Sequence, residues 1–148
     1  MLGTLASWLR CFGYDTSYAA NDSTDDDLIK QAKKQQQLLI TRDKELVQRA
    51  KKQGIKTIAI TSDNLDEQLK TVLSQSLYDK EALFSRCLGC NSVLKKVPMQ
   101  QAHPHVPLGI RKIHKEFWFC PHCKKYFWRG SHYDNMKEKI CSLLRSLD

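Results

Sequence analysis

The chain has 148 residues, 41% of them hydrophobic and 27% charged, which suits one compact domain plus a small stapled module. No stretch approaches the ~18 consecutive apolar residues of a membrane-spanning helix. The net charge of +8 is lopsided: residues 1–85 hold 12 Lys+Arg against 12 Asp+Glu, and residues 86–148 hold 12 against 4, so the surplus sits wholly in the second half and directs that half toward a polyanionic partner.

In chain order, Met1 to Arg10 lacks the basic n-region and small-residue cleavage site of a secretory leader and reads as an amphipathic helix, which makes the cytoplasm the expected compartment. Leu2, Leu5, Trp8 or Leu9, and Phe12 recur at helical spacing, with Gly13 placed to stop the helix. Tyr14 to Ala19 is β-tolerant and predicts a short extended strand. The acidic and hydroxyl-bearing run Asn21 to Asp27 is a capping cluster for a helix carrying Leu28, Ile29 and Ala32 and ending near Gln35–Gln37. Leu38 to Thr41 is a short apolar run of the kind that forms a buried parallel strand. A helix with Leu46, Val47 and Ala50 follows, closed by Gly54. Thr57 to Thr61 predicts a second buried strand, and Asp63 or Asn64 caps a helix carrying Leu65, Leu69, Val72 and Leu73. The alternation predicts an α/β layer with a parallel sheet over residues 1–84.

From Arg86 onward the chain is basic, Pro-bearing and reads as loop-rich, until a final helix over about Asp134 to Leu147 with Met136, Ile140, Leu143, Leu144 and Leu147 on one face. Cys87-Leu-Gly-Cys90 and Cys120-Pro-His-Cys123 have metal-ligand spacing and are separated by 29 residues, a length suited to a zinc ribbon of two knuckles joined by a strand or loop. Residues 85–148 are therefore expected to form a zinc ribbon with a C-terminal helix. Four thiolates give a closed tetrahedral site, which makes the zinc structural. His122, inside the second pair, is the one alternative ligand. Cys11 and Cys141 lie on helical patterns and read as small core thiols.

Two acids stand where chemistry is placed in α/β folds. Asp43 follows the first buried strand, at the carboxyl end where such sheets build their sites, and Asp25 lies at a helix N-terminus. Together they could hold magnesium or manganese, ions that take few protein carboxylates; the competing reading is that both are capping residues. Arg42, Arg86, Lys95, Lys96, Arg111, Lys112, Lys124, Lys125, Arg129 and His132 are candidate phosphate contacts, with Trp118, Tyr126 and Trp128 as candidate base-stacking rings. For the alternating Phe117 and Phe119 a place in the ribbon's own core is the better reading.

The stretch Asp25 to Ala32, followed by Leu38 to Asp43, resembles the late acidic motifs of PIN-like ribonucleases. Met1 to Arg10, Phe12 to Asp15, Ser85 to Asn91, Cys120 to Cys123 and Tyr126 to His132 narrow the likeness to the PIN-like family named for the C-terminal RNase domain of the Mut-7 exonuclease. The resemblance spans nearly the whole chain and implies a PIN-like α/β domain followed by a zinc ribbon, with metal-dependent cleavage of RNA. It assigns Asp25 and Asp43 to the divalent ion and the four cysteines to zinc. Members of that family begin with a short strand ending in Asp just before the Met-Leu-Gly segment, at which this sequence starts. The expectation is thus a sheet without its first strand, a metal site short of its first acid, exposed edges that favour self-association, and two functional outcomes: a metal-dependent ribonuclease, or a non-catalytic zinc-ribbon protein that binds RNA or serves as an adaptor. Asp22 and Asp63 are the acids available to compensate.

Overall fold

Helix α1 (Gly3–Cys11) forms where Leu5, Leu9 and Phe12 share a buried face, and it stops as the sequence predicts. Gly13 adopts φ +89°, its N–H donates to Arg10, and the N–H of Tyr14 donates back to Leu9, so two orphan carbonyls of the last turn are satisfied. A Cβ at Gly13 would also lie 2.4 Å from the carbonyl oxygen of Ala82, so only glycine fits there. The structure is a computed structural model that describes residues 2–148; Met1, the first residue of the expected helix, lies outside the description. The chain forms two units, one running through Ala6 and Ser17–Leu77, the other joining Ser7–Thr16 to Tyr78–Asp148.

In the first unit the elements are α2 (Asp25–Gln35), β1 (Leu39–Thr41), α3 (Lys44–Lys52), β2 (Thr57–Ala59) and α4 (Leu65–Gln75). Thr24 caps α2 in a reciprocal box: its hydroxyl accepts from the N–H of Asp27, and the Asp27 carboxylate accepts from the N–H of Thr24. The Thr24 hydroxyl, donating to the Asp27 carboxylate at 2.8 Å, and then the Thr24 N–H hold that carboxyl below the usual carboxylate range. Strands β1 and β2 pair in parallel with Leu39 opposite Thr57 and Thr41 opposite Ala59. Ile29 and Ala32 of α2, Leu46 and Ala50 of α3, and Ile55 form one buried cluster, with Leu28 and Leu39 against it. Two sequence expectations need correction. Tyr14 to Ala19 forms no strand, and the N–H of Thr16 is instead taken by the side chain of Asn91 at 2.9 Å. Leu39–Thr41 is only half-buried and Leu38 is exposed, because a two-stranded sheet leaves each strand with one uncovered edge.

The second unit holds a three-stranded antiparallel sheet in the order β3 (Lys95–Val97), β4 (Phe117–Cys120), β5 (Lys125–Phe127), followed by α7 (Ser131–Leu147). The region between the cysteine pairs, expected to be strand or loop, also contains α5 (Met99–Ala102), a 3-10 turn at His103–His105 and α6 (Leu108–Ile113). Its prolines begin these turns rather than break them: Pro98 and Pro107 occupy the N-cap positions of α5 and α6, where a missing N–H costs nothing. Ala102, Val106 and Phe117 form the ribbon's buried centre, with Val97, Met99, Ile110, Tyr126 and Trp128 around it. On α7 the buried face is Met136, Ile140 and Leu143. Cys11 is buried and its thiol is pushed up to about 12 by that burial, whereas Cys141, expected in the core, is exposed because it lies one residue beyond the Ile140 stripe. No helix of the described residues is long and apolar enough to cross a membrane.

Candidate metal centre and nucleic-acid interface

The two cysteine pairs share one local geometry. The N–H of Asn91 donates to the carbonyl of Cys87, and the N–H of Lys124 donates to the carbonyl of Cys120, each at 2.9 Å. Asn91 and Lys124, each the residue after the second cysteine of its pair, both adopt left-handed backbone, φ 74° and 58°. That conformation turns the chain back so that both sulfurs of a pair point the same way. The first knuckle is closed by the N–H of Cys87 donating to Ser92 at 2.8 Å, and the second bridges β4 and β5.

The four Sγ atoms lie within 4.8 Å of one another, with Cys90 and Cys120 at 3.4 Å and Cys87 and Cys123 at 3.9 Å. Sulfurs at the corners of a tetrahedron with metal bonds of ~2.3 Å would stand about 3.8 Å apart. The donor set therefore fits a tetrahedral, thiolate-bound ion such as zinc, and it leaves no coordination position for a substrate. Crowding divides the thiols: hydrogen bonding from Ser92 brings Cys90 down to about 6, the hydrogen bond with Cys90 pushes Cys123 up to about 12, and burial raises Cys87. Without a cation the cluster cannot carry four negative charges; a divalent ion removes that obstacle.

Sequence reasoning missed the residue that holds the first knuckle in place. Arg10 of α1 is 8% exposed; its Nη1 donates to the carbonyls of Leu88 at 2.8 Å and Gly89 at 3.1 Å, and its Nε donates to Thr16 at 2.9 Å. Asn91 completes the tie, accepting from the N–H of Thr16 and donating to Asp15 at 2.6 Å. Apart from the bond to Thr16, six residues on, the contacts of Arg10 and Asn91 cross 75 or more positions of sequence, and a polar residue on an amphipathic helix gives no local signal of them. Arg10→Ala should destabilise the second unit by about 3 kcal/mol, since three part-buried hydrogen bonds to a charged donor are lost. Arg10→Lys should recover only part of this, because an ammonium cannot reproduce the fork. Thermal melts, with the rate at which a chelator strips the metal, read the effect; unchanged stripping in Arg10→Ala would remove Arg10 from the knuckle.

Of the basic and aromatic candidates, Arg42 lies in the first unit, where it pairs with Asp63. The rest lie in the second. Arg86 donates to the carbonyl of Asn91 at 2.9 Å and so belongs to the first knuckle. Lys124 and Lys125 are exposed on the second, Lys124 over the Phe119 ring at 5.9 Å. Trp128 packs against the ribbon's core. Arg129 is held between two rings, 4.9 Å from Trp118 and 5.4 Å from Tyr133, and the Lys96 ammonium stands 5.9 Å from the same Trp118. His132 is exposed on the first turn of α7. Alternation along β4 explains the division: Phe117 faces the core, and Trp118, one residue on, faces the cations.

The acids of the first unit both have structural partners. Thr24, not Asp25, is the cap of α2; Asp25 pairs with Arg49 of α3 at 3.2 Å, and Asp26 pairs with the same guanidinium. Asp43 is the cap of α3, and its Oδ1 accepts from the N–H groups of Glu45 at 2.8 Å and Leu46 at 3.2 Å. Among the described residues the one group of three or more potential metal ligands is the cysteine cluster, so Asp25 and Asp43 are not part of a larger ligand set.

A family model described as the Mut7-C RNAse domain matches residues 1–140. The chain belongs to the Mut7-C RNase domain family. The Mut7-C match runs through both units and takes in Asp25, Asp43 and all four cysteines. No curated protein and no solved structure matches the chain.

Proposed function

We propose that this chain acts on RNA as a ribonuclease-type protein: a PIN-like α/β unit whose acids serve a divalent ion, and a zinc ribbon that grips the RNA backbone. The observation that carries the reading is the pairing of Mut7-C membership with a closed four-cysteine cluster in the segment, residues 86–148, that holds the whole positive surplus. The zinc, held by Cys87, Cys90, Cys120 and Cys123, supplies folding energy rather than chemistry. Arg42, Arg86, Lys124, Lys125, Arg129 and His132 neutralise phosphates, and the half-buried Trp128 is the ring offered to a base.

Asp43 is suited to a double role, because its Oδ1 is spent on the cap of α3 and its Oδ2 makes no described hydrogen bond. A magnesium or manganese ion bound there and by Asp25 would activate water and offset charge on the scissile phosphate. Asp25 is held by Arg49, and the surrounding chain orients both carboxylates.

One observation favours a second reading, RNA binding without turnover: both acids already have structural partners, and among the described residues no third ligand joins them. Incubation of a labelled single-stranded RNA with the zinc-loaded protein, in magnesium or manganese and in EDTA, decides between the two. Metal-dependent products support the nuclease, binding without products supports the second reading, and failure to bind overturns both.

A further inference from the structure

An open cleft of about 770 Å³ lies wholly within the second unit, between the segment after Leu77 and the face of α7. Its size is that of a small-ligand pocket. The cleft is lined by four cations, Lys80, Arg129, Lys137 and Arg145, against two acids, Glu81 and Asp148. Its aromatic wall is Phe84 and Tyr133, with ring centroids 4.4 Å apart, and Tyr78 lies beside them.

Phe84 holds a left-handed backbone conformation, φ +60°, that bulky residues rarely adopt. Its N–H is fixed to the carbonyl of Cys11 at 2.8 Å. That backbone sets its ring in the wall of a basic cleft. Arg129 lines the cleft with its guanidinium carbon 4.9 Å from the centre of the Trp118 ring and 5.4 Å from that of Tyr133, and its donors lie along the N–H edge of the group. That edge is the part of a guanidinium that meets two phosphate oxygens at once.

Resting on the reading that the protein binds RNA, the geometry points to this cleft as the pocket for one unpaired nucleobase of a single-stranded RNA, its ring against Phe84 and Tyr133 and its flanking phosphates on Arg129, Lys137 and Arg145. Stacking on an aromatic pair accepts any base, so the pocket reads strandedness rather than sequence. The ribbon's basic surface holds the backbone; the cleft requires a base that is free to leave its stack.

Cys141 provides the test, because it lines the cleft, is exposed, and lies outside the metal cluster. The zinc-loaded full chain is alkylated with iodoacetamide in the presence of a single-stranded RNA, a duplex of equal length, or an abasic oligomer of equal length and charge. Binding of each is followed by fluorescence anisotropy. The expected result is slower modification of Cys141 by the single strand and little protection by duplex or abasic oligomer. Tyr133→Leu should weaken single-strand binding about tenfold, in line with the loss of one stacked base. Lys137→Glu, on the exposed face of α7, should weaken it comparably without disturbing the fold. Equal protection by the abasic oligomer, or single-strand binding that leaves Cys141 unprotected and is unmoved by both variants, overturns the pocket while RNA binding stands. Absence of any RNA binding overturns the pocket together with the reading beneath it.

Discussion

Cys120→Ser is expected to unfold the second unit at ambient temperature while leaving the first intact. Cys120 is fully buried at the end of β4, where its carbonyl accepts from Lys124 and its sulfur accepts from the N–H of Cys123 at 3.3 Å. A serine hydroxyl in its place does not ionise at neutral pH and is a poor ligand for an ion that prefers thiolate. Structural zinc contributes about 10–16 kcal/mol to folding in isolated zinc-finger peptides, more than the whole stability of a typical small domain. The ribbon's centre, three buried residues with partly buried neighbours, is too small to compensate. The readout is unusually clean, because all three tryptophans, Trp8, Trp118 and Trp128, lie in the second unit. Tryptophan emission should shift to the red in Cys120→Ser and in the wild-type protein treated with a strong chelator, and helical signal from α2, α3 and α4 should persist. Emission unchanged by both treatments would mean the cluster carries no structural metal.

Asp43→Asn should abolish metal-dependent cleavage with little loss of stability. Asparagine caps a helix about as well as aspartate, so the bonds to Glu45 and Leu46 survive the change and the fold of the first unit is retained. What disappears is the negative charge that a magnesium or manganese ion requires. With only Asp25 remaining, product formation should fall at least a hundredfold. Asp43→Ala is the less informative variant, since it also removes the cap at a cost of about 1 kcal/mol. Product formation undiminished in Asp43→Asn would take Asp43 out of the site, and a melting temperature well below that of the wild type would mean that its role was structural.

What could be read from the sequence is local. Apolar spacing placed α2, α3 and α4, Gly13 and Gly54 marked helix ends that the structure closes in left-handed conformations, and the paired cysteines pointed to the four-sulfur cluster. What escaped depends on partners distant in sequence. Tyr14 to Ala19 has strand-compatible residues but no neighbouring strand to pair with. Pro98, Pro104 and Pro107 suggested a loop, although proline is equally at home where a helix begins. Cys141 and Ile140 are adjacent, and a turn of about 100° per residue is enough to bury one and expose the other. Arg10 was legible only as a polar residue of α1; its role at the first knuckle exists because Leu88 and Gly89 turn their carbonyls toward it.

The candidate site divides in the same way. Charge counting found the basic half but could not separate cations that support the ribbon from those that face solvent. Arg86 is engaged with Asn91, whereas Arg129 is exposed and stands beside the Trp118 and Tyr133 rings. Tyr133, Phe84 and Lys137 had no distinguishing pattern in the sequence, and only the folding of α7 against the segment after Leu77 brings them to one cleft.

Gripping of RNA by a zinc-dependent basic unit is tested most directly by one titration: a labelled single-stranded RNA against the zinc-loaded protein across a salt series, repeated after chelation. The expected result is a binding constant that falls linearly on a log–log plot, with a slope of about −0.7 per phosphate contacted, and is lost when the metal is removed. Binding indifferent to ionic strength, or fully retained by the metal-stripped protein, would contradict it.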